Sequence, residues 1–160
     1  MTPTTITRIH ARRVWDSRGR PTVEAEVRLA SGVVGRGIAP AGASRGSREA
    51  VDLRDGGTRH GGFDVAQAVA NVRGPIARAI FEMDALDQED IDAKLIALDG
   101  TPDKSKLGGN AIVAVSLAVA QAAALAHDMP LWQYLAGDAP VTLPLPEVQI
   151  FGGGAHAGRR

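Results

Sequence analysis

From Val23 to Leu29 the chain alternates strictly. Val23, Ala25, Val27 and Leu29 fall on one side and Glu24, Glu26 and Arg28 on the other, the period-two pattern of a half-buried strand. Ala30-Ser31-Gly32 supplies turn chemistry, and Val33 to Ile38 returns as an antiparallel partner. Upstream, Ile6 to Trp15 reads as a further strand, separated from the next by Asp16-Ser17-Arg18-Gly19-Arg20-Pro21. The pattern then changes to helical spacing. Val65, Ala68, Val69 and Val72 share one helix face, and Pro75 restarts or kinks that helix. A second helix is expected from Asp87, as N-cap, through Ile91, Leu95, Ile96 and Leu98 to Gly100 as the C′ residue. The run Asn110 to His127 is apolar almost all round and predicts a helix buried on most sides. Pro130 opens a short helix, Leu131 to Ala136, closed by Gly137. Strands first and helices afterwards predict an α+β domain built on a three-stranded antiparallel meander.

Beyond Asp138 the texture shifts. Pro140, Pro144 and Pro146 punctuate an apolar stretch before a glycine-rich segment at Gly152-Gly153-Gly154 that carries His156. This reads as one α+β domain over 1–138, followed over 139–160 by a linker and the first strand and loop of a second, incomplete unit. Composition adds exclusions. The 160 residues carry 18 basic and 18 acidic side chains, so a strongly basic nucleic-acid or anionic-membrane binder is not expected. There is no cysteine, which excludes disulfides, thiolate metal sites and a cysteine nucleophile. The N-terminus has no apolar core of a signal peptide, and Ala111 to Ala126 is too short and alanine-rich for a membrane span. A cytoplasmic location is the expectation.

Two loops invite chemistry. Ala39-Pro-Ala-Gly-Ala-Ser-Arg-Gly46 leaves a strand on small residues, so its backbone could approach an anion or a metal unobstructed, with Ser44 as the one oxygen ligand and Arg45 beside it. An ordinary connector has the same composition. His156 follows three glycines at an apparent strand end, where an imidazole could reach a pocket as acid, base or phosphate contact, or simply face water. His10, His60 and His127 have no neighbouring ligands at zinc-like spacing. Asp16-Ser-Arg-Gly19 reads as a capped hairpin loop in which Asp16 accepts backbone N–H bonds, and the acidic run around Asp87 to Asp92 as a solvated helix start.

Taken together, Asp16-Ser-Arg-Gly-Arg-Pro-Thr-Val-Glu24, Pro40-Ala-Gly-Ala-Ser44, Glu49-Ala-Val-Asp-Leu-Arg-Asp-Gly56, Leu98-Asp-Gly-Thr-Pro-Asp-Lys-Ser-Lys-Leu-Gly-Gly-Asn-Ala-Ile112 and Gly153-Gly-Ala-His-Ala157 resemble the N-terminal motifs of the enolase family. The resemblance implies an N-terminal capping domain and the first strand of an α/β barrel. It also implies a lyase that interconverts 2-phosphoglycerate and phosphoenolpyruvate with a pair of Mg²⁺ ions, and a homodimer with Arg12 and Arg18 contributing to its interface. By position, Ser44 matches a ligand of the second Mg²⁺, Gly42 and Ala43 belong to the loop that closes over substrate, and His156 matches a catalytic His at the phosphate and hydroxyl end. The family's base and primary metal carboxylates have no counterpart within these 160 residues, so the chain alone is expected to be inactive.

The chain also departs from the family pattern. Arg45 replaces a usual Thr, Phe63-Asp64 a usual Lys-Gly, Gly152 a usual Asn, and Gln149 stands where Asn is common. These departures leave open a divergent paralog acting on a phosphonate or carboxylated analogue, with Arg45 as an extra anion contact. A non-catalytic assembly module with an exposed apolar patch is the third reading.

Overall fold

The computed structural model describes residues 1–42 and 46–150. The meander forms as β1 (Ile6–Trp15), β2 (Pro21–Leu29) and β3 (Val34–Ala39), antiparallel in the order β1-β2-β3. Registers run Ala11 opposite Ala25 and Val23 opposite Ala39, with a bulge between Ile6 and Arg8. The alternating side of β2 is the core side: Val23, Ala25, Val27 and Leu29 are all buried. Glu24, on the opposite face, is buried as well. Arg12 Nε lies 2.5 Å from its Oε1 and Arg36 Nε 3.0 Å from its Oε2, so two guanidinium arms from the flanking strands cover the carboxylate.

The helices follow in the expected order. α1 (Ala66–Asn71) runs into a π turn (Val72–Ile76) and then α2 (Ala77–Ile80). Pro75 lies inside the π turn: a proline lacks the N–H of a regular i to i−4 bond, and widening the turn absorbs it without ending the helix. α1 is capped from a distance, because Asp55 accepts the Ala66 and Gln67 N–H groups at 2.8 and 3.0 Å. α3 (Gln88–Asp99) starts after Asp87, but the Asp87 side chain makes no capping bond, a correction to the expectation. The turn before it is held instead by Asp84, whose Oδ1 accepts the Leu86 N–H at 3.1 Å. Ile91 and Leu95 are buried whereas Ile96 is exposed. Gly100 ends the helix at φ +72°, its N–H on the Ile96 carbonyl. α5 (Leu131–Ala136) ends at Gly137, also at positive φ.

The central helix α4 (Gly109–Ala126) packs across β3 and β2. The contact is possible only because β3 presents hydrogen where side chains would stand. A Cβ at Gly35 would lie 2.2 Å from the Ala118 carbonyl oxygen, and one at Gly37 2.3 Å from that of Ala114. Opposite them, Ala114, Ala118 and Ala122 repeat every four residues as a stripe of methyl groups. α4 is the one described helix long and apolar enough to cross a membrane, and 67% of that window is buried inside the fold. Val113, Leu117 and Leu125 form its exposed apolar stripe.

The Leu98–Ile112 segment earns its residues structurally. Buried Asp99 accepts the Leu107 N–H at 2.7 Å through Oδ2 and the Thr101 N–H at 3.0 Å through Oδ1, and the Thr101 hydroxyl also donates to Oδ1. Burial on its own would push the Asp99 carboxyl up. The hydrogen bonds from Thr101 and Leu107, with Lys104 nearby, outweigh it and hold the group below the ordinary aspartate range. Asn71 closes the other side, donating to the Leu107 carbonyl at 2.9 Å. Residues 140–150 carry no regular secondary structure and are exposed. The remainder of the strand and loop expected over 139–160 lies outside the described residues.

Gly37→Ala is expected to cost about 3 kcal/mol, at the upper end of overpacking, since the new methyl meets helix backbone that cannot give way. A urea midpoint shift at unchanged m-value measures it. Asp99 makes a signed pH prediction. Its folded pKa lies below its unfolded one, so its contribution is complete above the unfolded value of about 4 and is lost as pH falls through the folded value. Asp99→Asn is therefore expected to be less stable at neutral pH and to show a shallower loss of unfolding free energy below pH of about 4.

Candidate functional site

β3 delivers the small-residue loop. The strand ends at Ala39, whose carbonyl accepts the Thr22 hydroxyl at 2.6 Å, and Pro40, Ala41 and Gly42 follow. The β1–β2 hairpin holds this exit. Asp16 Oδ1 accepts the backbone N–H groups of Arg18 and Arg20, each at 2.8 Å, around Gly19 at φ +68°. These bonds, that from Arg20 foremost, hold the Asp16 carboxyl below its ordinary range. The hairpin is thus the capped loop its residues predict, and it does more: the Arg18 guanidinium donates to the Ala41 carbonyl, tying the hairpin tip to the loop.

The facing wall comes from residues 46–55, which have no regular structure of their own and borrow partners from α4 and its approach. The Val51 N–H donates to the Asp103 carbonyl and the Gly109 N–H to the Val51 carbonyl, both at 2.7 Å. Asn110 completes the seam, its Nδ2 donating to the Leu53 carbonyl at 3.1 Å and its Oδ1 accepting the Leu53 N–H at 3.3 Å. Gly108 is required by the fit. Its φ is +96°, and a Cβ there would lie 2.5 Å from Asn110 Oδ1 and 2.7 Å from Leu53 Cβ. Arg54 anchors the segment's other end, pairing with Asp52 at 2.7 Å and donating to the carbonyls of Pro21 and Phe63.

Between loop and wall lies an open groove of about 400 Å³, with Gly42 on its rim, Glu49 and Asp52 on one side, Asn110 at the helix start, and Val113 and Leu117 as an apolar floor. Glu49 is bent into its own turn, Oε1 accepting the Gly46 N–H at 2.6 Å. Of the residues singled out from the sequence, Gly42 is placed here and is exposed. Ala43, Ser44, Arg45 and His156 lie outside the described residues. His10, His60 and His127 sit on β1, on a 3₁₀ turn (Arg59–Gly62) and after α4, respectively. Among the described residues no three His, Asp or Glu side chains gather to hold a metal ion, so these residues do not fit a self-contained Mg²⁺ site.

Arg18, Arg54 and Asn110 shape the site without having been singled out for it. Each reaches a partner far off in sequence, Ala41 for Arg18, Pro21 for Arg54 and Leu53 for Asn110, and the only advance signal was their membership in the quoted motifs. Asn110→Ala should cost about 2 kcal/mol by stranding both backbone groups of Leu53, read as a lowered thermal unfolding midpoint.

Known proteins agree with this architecture. Residues 6–135 match the family model described as "Enolase, N-terminal domain". The chain is 54% identical over 155 residues to proteins named "Enolase 2" from Pseudomonas syringae pv. tomato and Pseudomonas syringae pv. syringae. Each match covers 96% of this chain and 36% of the relative, so the chain spans about a third of the length of these curated relatives. The match runs from β1 into α5, through the glycine-faced sheet, the π turn and the Asn110 seam, and the chain belongs to the enolase N-terminal domain family.

Proposed function

We propose that this chain is the loop-bearing lobe of an enolase-type carbon–oxygen lyase that interconverts 2-phosphoglycerate and phosphoenolpyruvate in glycolysis, depends on Mg²⁺, and works in the cytoplasm as a homodimer. The observation that carries the reading is the identity to two proteins named enolase over 96% of this chain. The groove beside Ala39–Gly42 supports it: these first loop residues line a concavity with an apolar floor and a polar rim, where closure of the loop would exclude water from an anionic substrate.

In this reading Gly42 and Ala43 form the closing segment, and Ser44 lends one hydroxyl oxygen to a Mg²⁺ whose other ligands lie elsewhere. Arg45 and His156 face the anionic end of the substrate, with His156 exchanging a proton there. Residues 1–138 act as a cap and 139–160 lead towards a barrel. Arg12 and Arg18 contribute to the dimer, although Arg12 is engaged by Glu24 and Glu26 and Arg18 by Asp16 and Ala41 within one chain. A second reading, a paralog whose substrate carries a further anionic group, is favoured by one feature, the cation of Arg45 in the loop.

The test is a dehydration assay following phosphoenolpyruvate absorbance with Mg²⁺. The 160-residue chain alone is expected to be inactive, whereas a fusion to the part of the Pseudomonas Enolase 2 that follows the matched segment turns over 2-phosphoglycerate. Ser44→Ala in the fusion should lower kcat by about 10- to 100-fold with little change in unfolding temperature. A folded but inactive fusion, or an unchanged kcat for Ser44→Ala, would sink the assignment. Preference of the fusion for a carboxylated analogue, relieved by Arg45→Thr, would select the second reading.

A further inference from the structure

A second and larger concavity, about 550 Å³, lies away from the loop, where the end of β1 meets α1 and the π turn. Its lining is dominated by Arg13, Arg59 and Arg73 around one carboxylate, Asp64. Arg13 stands on the core side of β1, where the alternation calls for an apolar residue, and it is kept there by Asp64. A single nitrogen, Nη1, serves both Asp64 oxygens, at 2.6 and 2.8 Å. Arg59 reaches the same carboxylate with Nε at 3.0 Å. Arg73 uses Nε on the Ala11 carbonyl at 2.7 Å and Nη2 toward His10 Nε2 at 3.3 Å. Nε and Nη2 of Arg13, both Nη of Arg59 and Nη1 of Arg73 make no hydrogen bond among the described residues.

Three guanidiniums facing one carboxylate leave the groove with an excess of positive charge, and a local field of one sign recruits a counter-ion. Asp64 is itself saturated by Arg13, Arg59 and the Val65 N–H at 2.9 Å, so it competes little for the unused donors. Hydrogen bonds from Arg13, foremost, hold its carboxyl below the ordinary range despite burial, so it stays ionised and keeps the arginines in place. The floor is low: Ala66 and Ala70 are short and exposed, and a Cβ on Gly74 would approach only the Arg78 side chain. The donor set suits tetrahedral oxyanions, whose several oxygens accept planar guanidinium forks from more than one direction.

We propose that the groove between β1 and the α1–π segment binds a small dianionic oxyanion, a phosphate or a phosphate monoester, through Arg13, Arg59 and Arg73. Asp64, one of the departures from the family pattern, acts as the post that holds two of these arginines in place. The site shares none of its lining with the groove under the loop.

Trp15 reports on it directly, its ring 5.9 Å from the Arg13 guanidinium and 5.0 Å from the edge-on His60 ring. The 160-residue chain carrying Trp132→Phe, which leaves Trp15 as the sole tryptophan, is titrated with inorganic phosphate and with glycerol phosphate at constant ionic strength. A saturable change in Trp15 emission is expected. Arg59→Ala, whose side chain is 68% exposed, should raise the half-saturating concentration at least about tenfold without lowering the unfolding temperature appreciably. Asp64→Asn, confirmed folded by circular dichroism, should raise it as well, because a neutral amide no longer holds Arg13 and Arg59 in place. Tighter binding of glycerol phosphate than of phosphate would identify a monoester site, and the reverse a free-anion site. An emission change reproduced by chloride alone, no saturation, or half-saturation unmoved by both variants would overturn the proposal.

Discussion

The close approach of β3 to α4 is the constraint on which the rest depends. Gly35 and Gly37 bring a strand backbone to within van der Waals contact of a helix backbone, and Ala114, Ala118 and Ala122 present the small face that allows it. A helix held this near a strand has Ala where it faces the two glycines, and the contact leaves no room for adjustment. The direction of α4 then fixes where Gly108 and Asn110 stand, and Asn110 fixes residues 50–53. Pro40 to Gly42, leaving β3, and the wall that faces them are both placed by one interface, which gives the groove between them its shape.

Aspartates do much of the remaining organisation. Asp16 closes the hairpin, Asp55 caps α1 from outside the helix, Asp99 closes the loop before α4, and Asp64 gathers arginines from β1 and the 3₁₀ turn. Each accepts backbone N–H groups or guanidinium protons that no helix or strand ladder supplies with a partner. Their engagement lets long irregular stretches, such as 46–58 and 100–108, hold a defined course without sheet or helix of their own.

The two concavities draw on different economies. The groove under the loop is bounded by carboxylates and a helix face, and its proposed chemistry depends on groups brought from elsewhere. The arginine groove is complete within the chain and depends on a single buried charge to keep like-charged side chains together. Arg54 links the neighbourhoods, joining Asp52 on one groove to the backbone of Phe63 beside Asp64 on the other.

The sequence by itself determined the meander, the buried side of β2, the order of the helices, the ends of α3 and α5 and the family motifs, because each rests on local periodicity or on conformations that only Gly and Pro favour. It also placed Asp16 in its turn, since its partners lie two and four residues away. Tertiary structure decided the rest. Glu24 reads as a solvent-side residue until Arg12 and Arg36 close over it, and Asp87 reads as a cap until its side chain is found uninvolved. Gly35 and Gly37 read only as positions of the returning strand until α4 is laid against them. The seam of Asn110 with Leu53 and the convergence of Arg13, Arg59 and Arg73 join positions tens of residues apart, and no periodicity encodes which distant side chains the packing of two elements will bring within bonding distance.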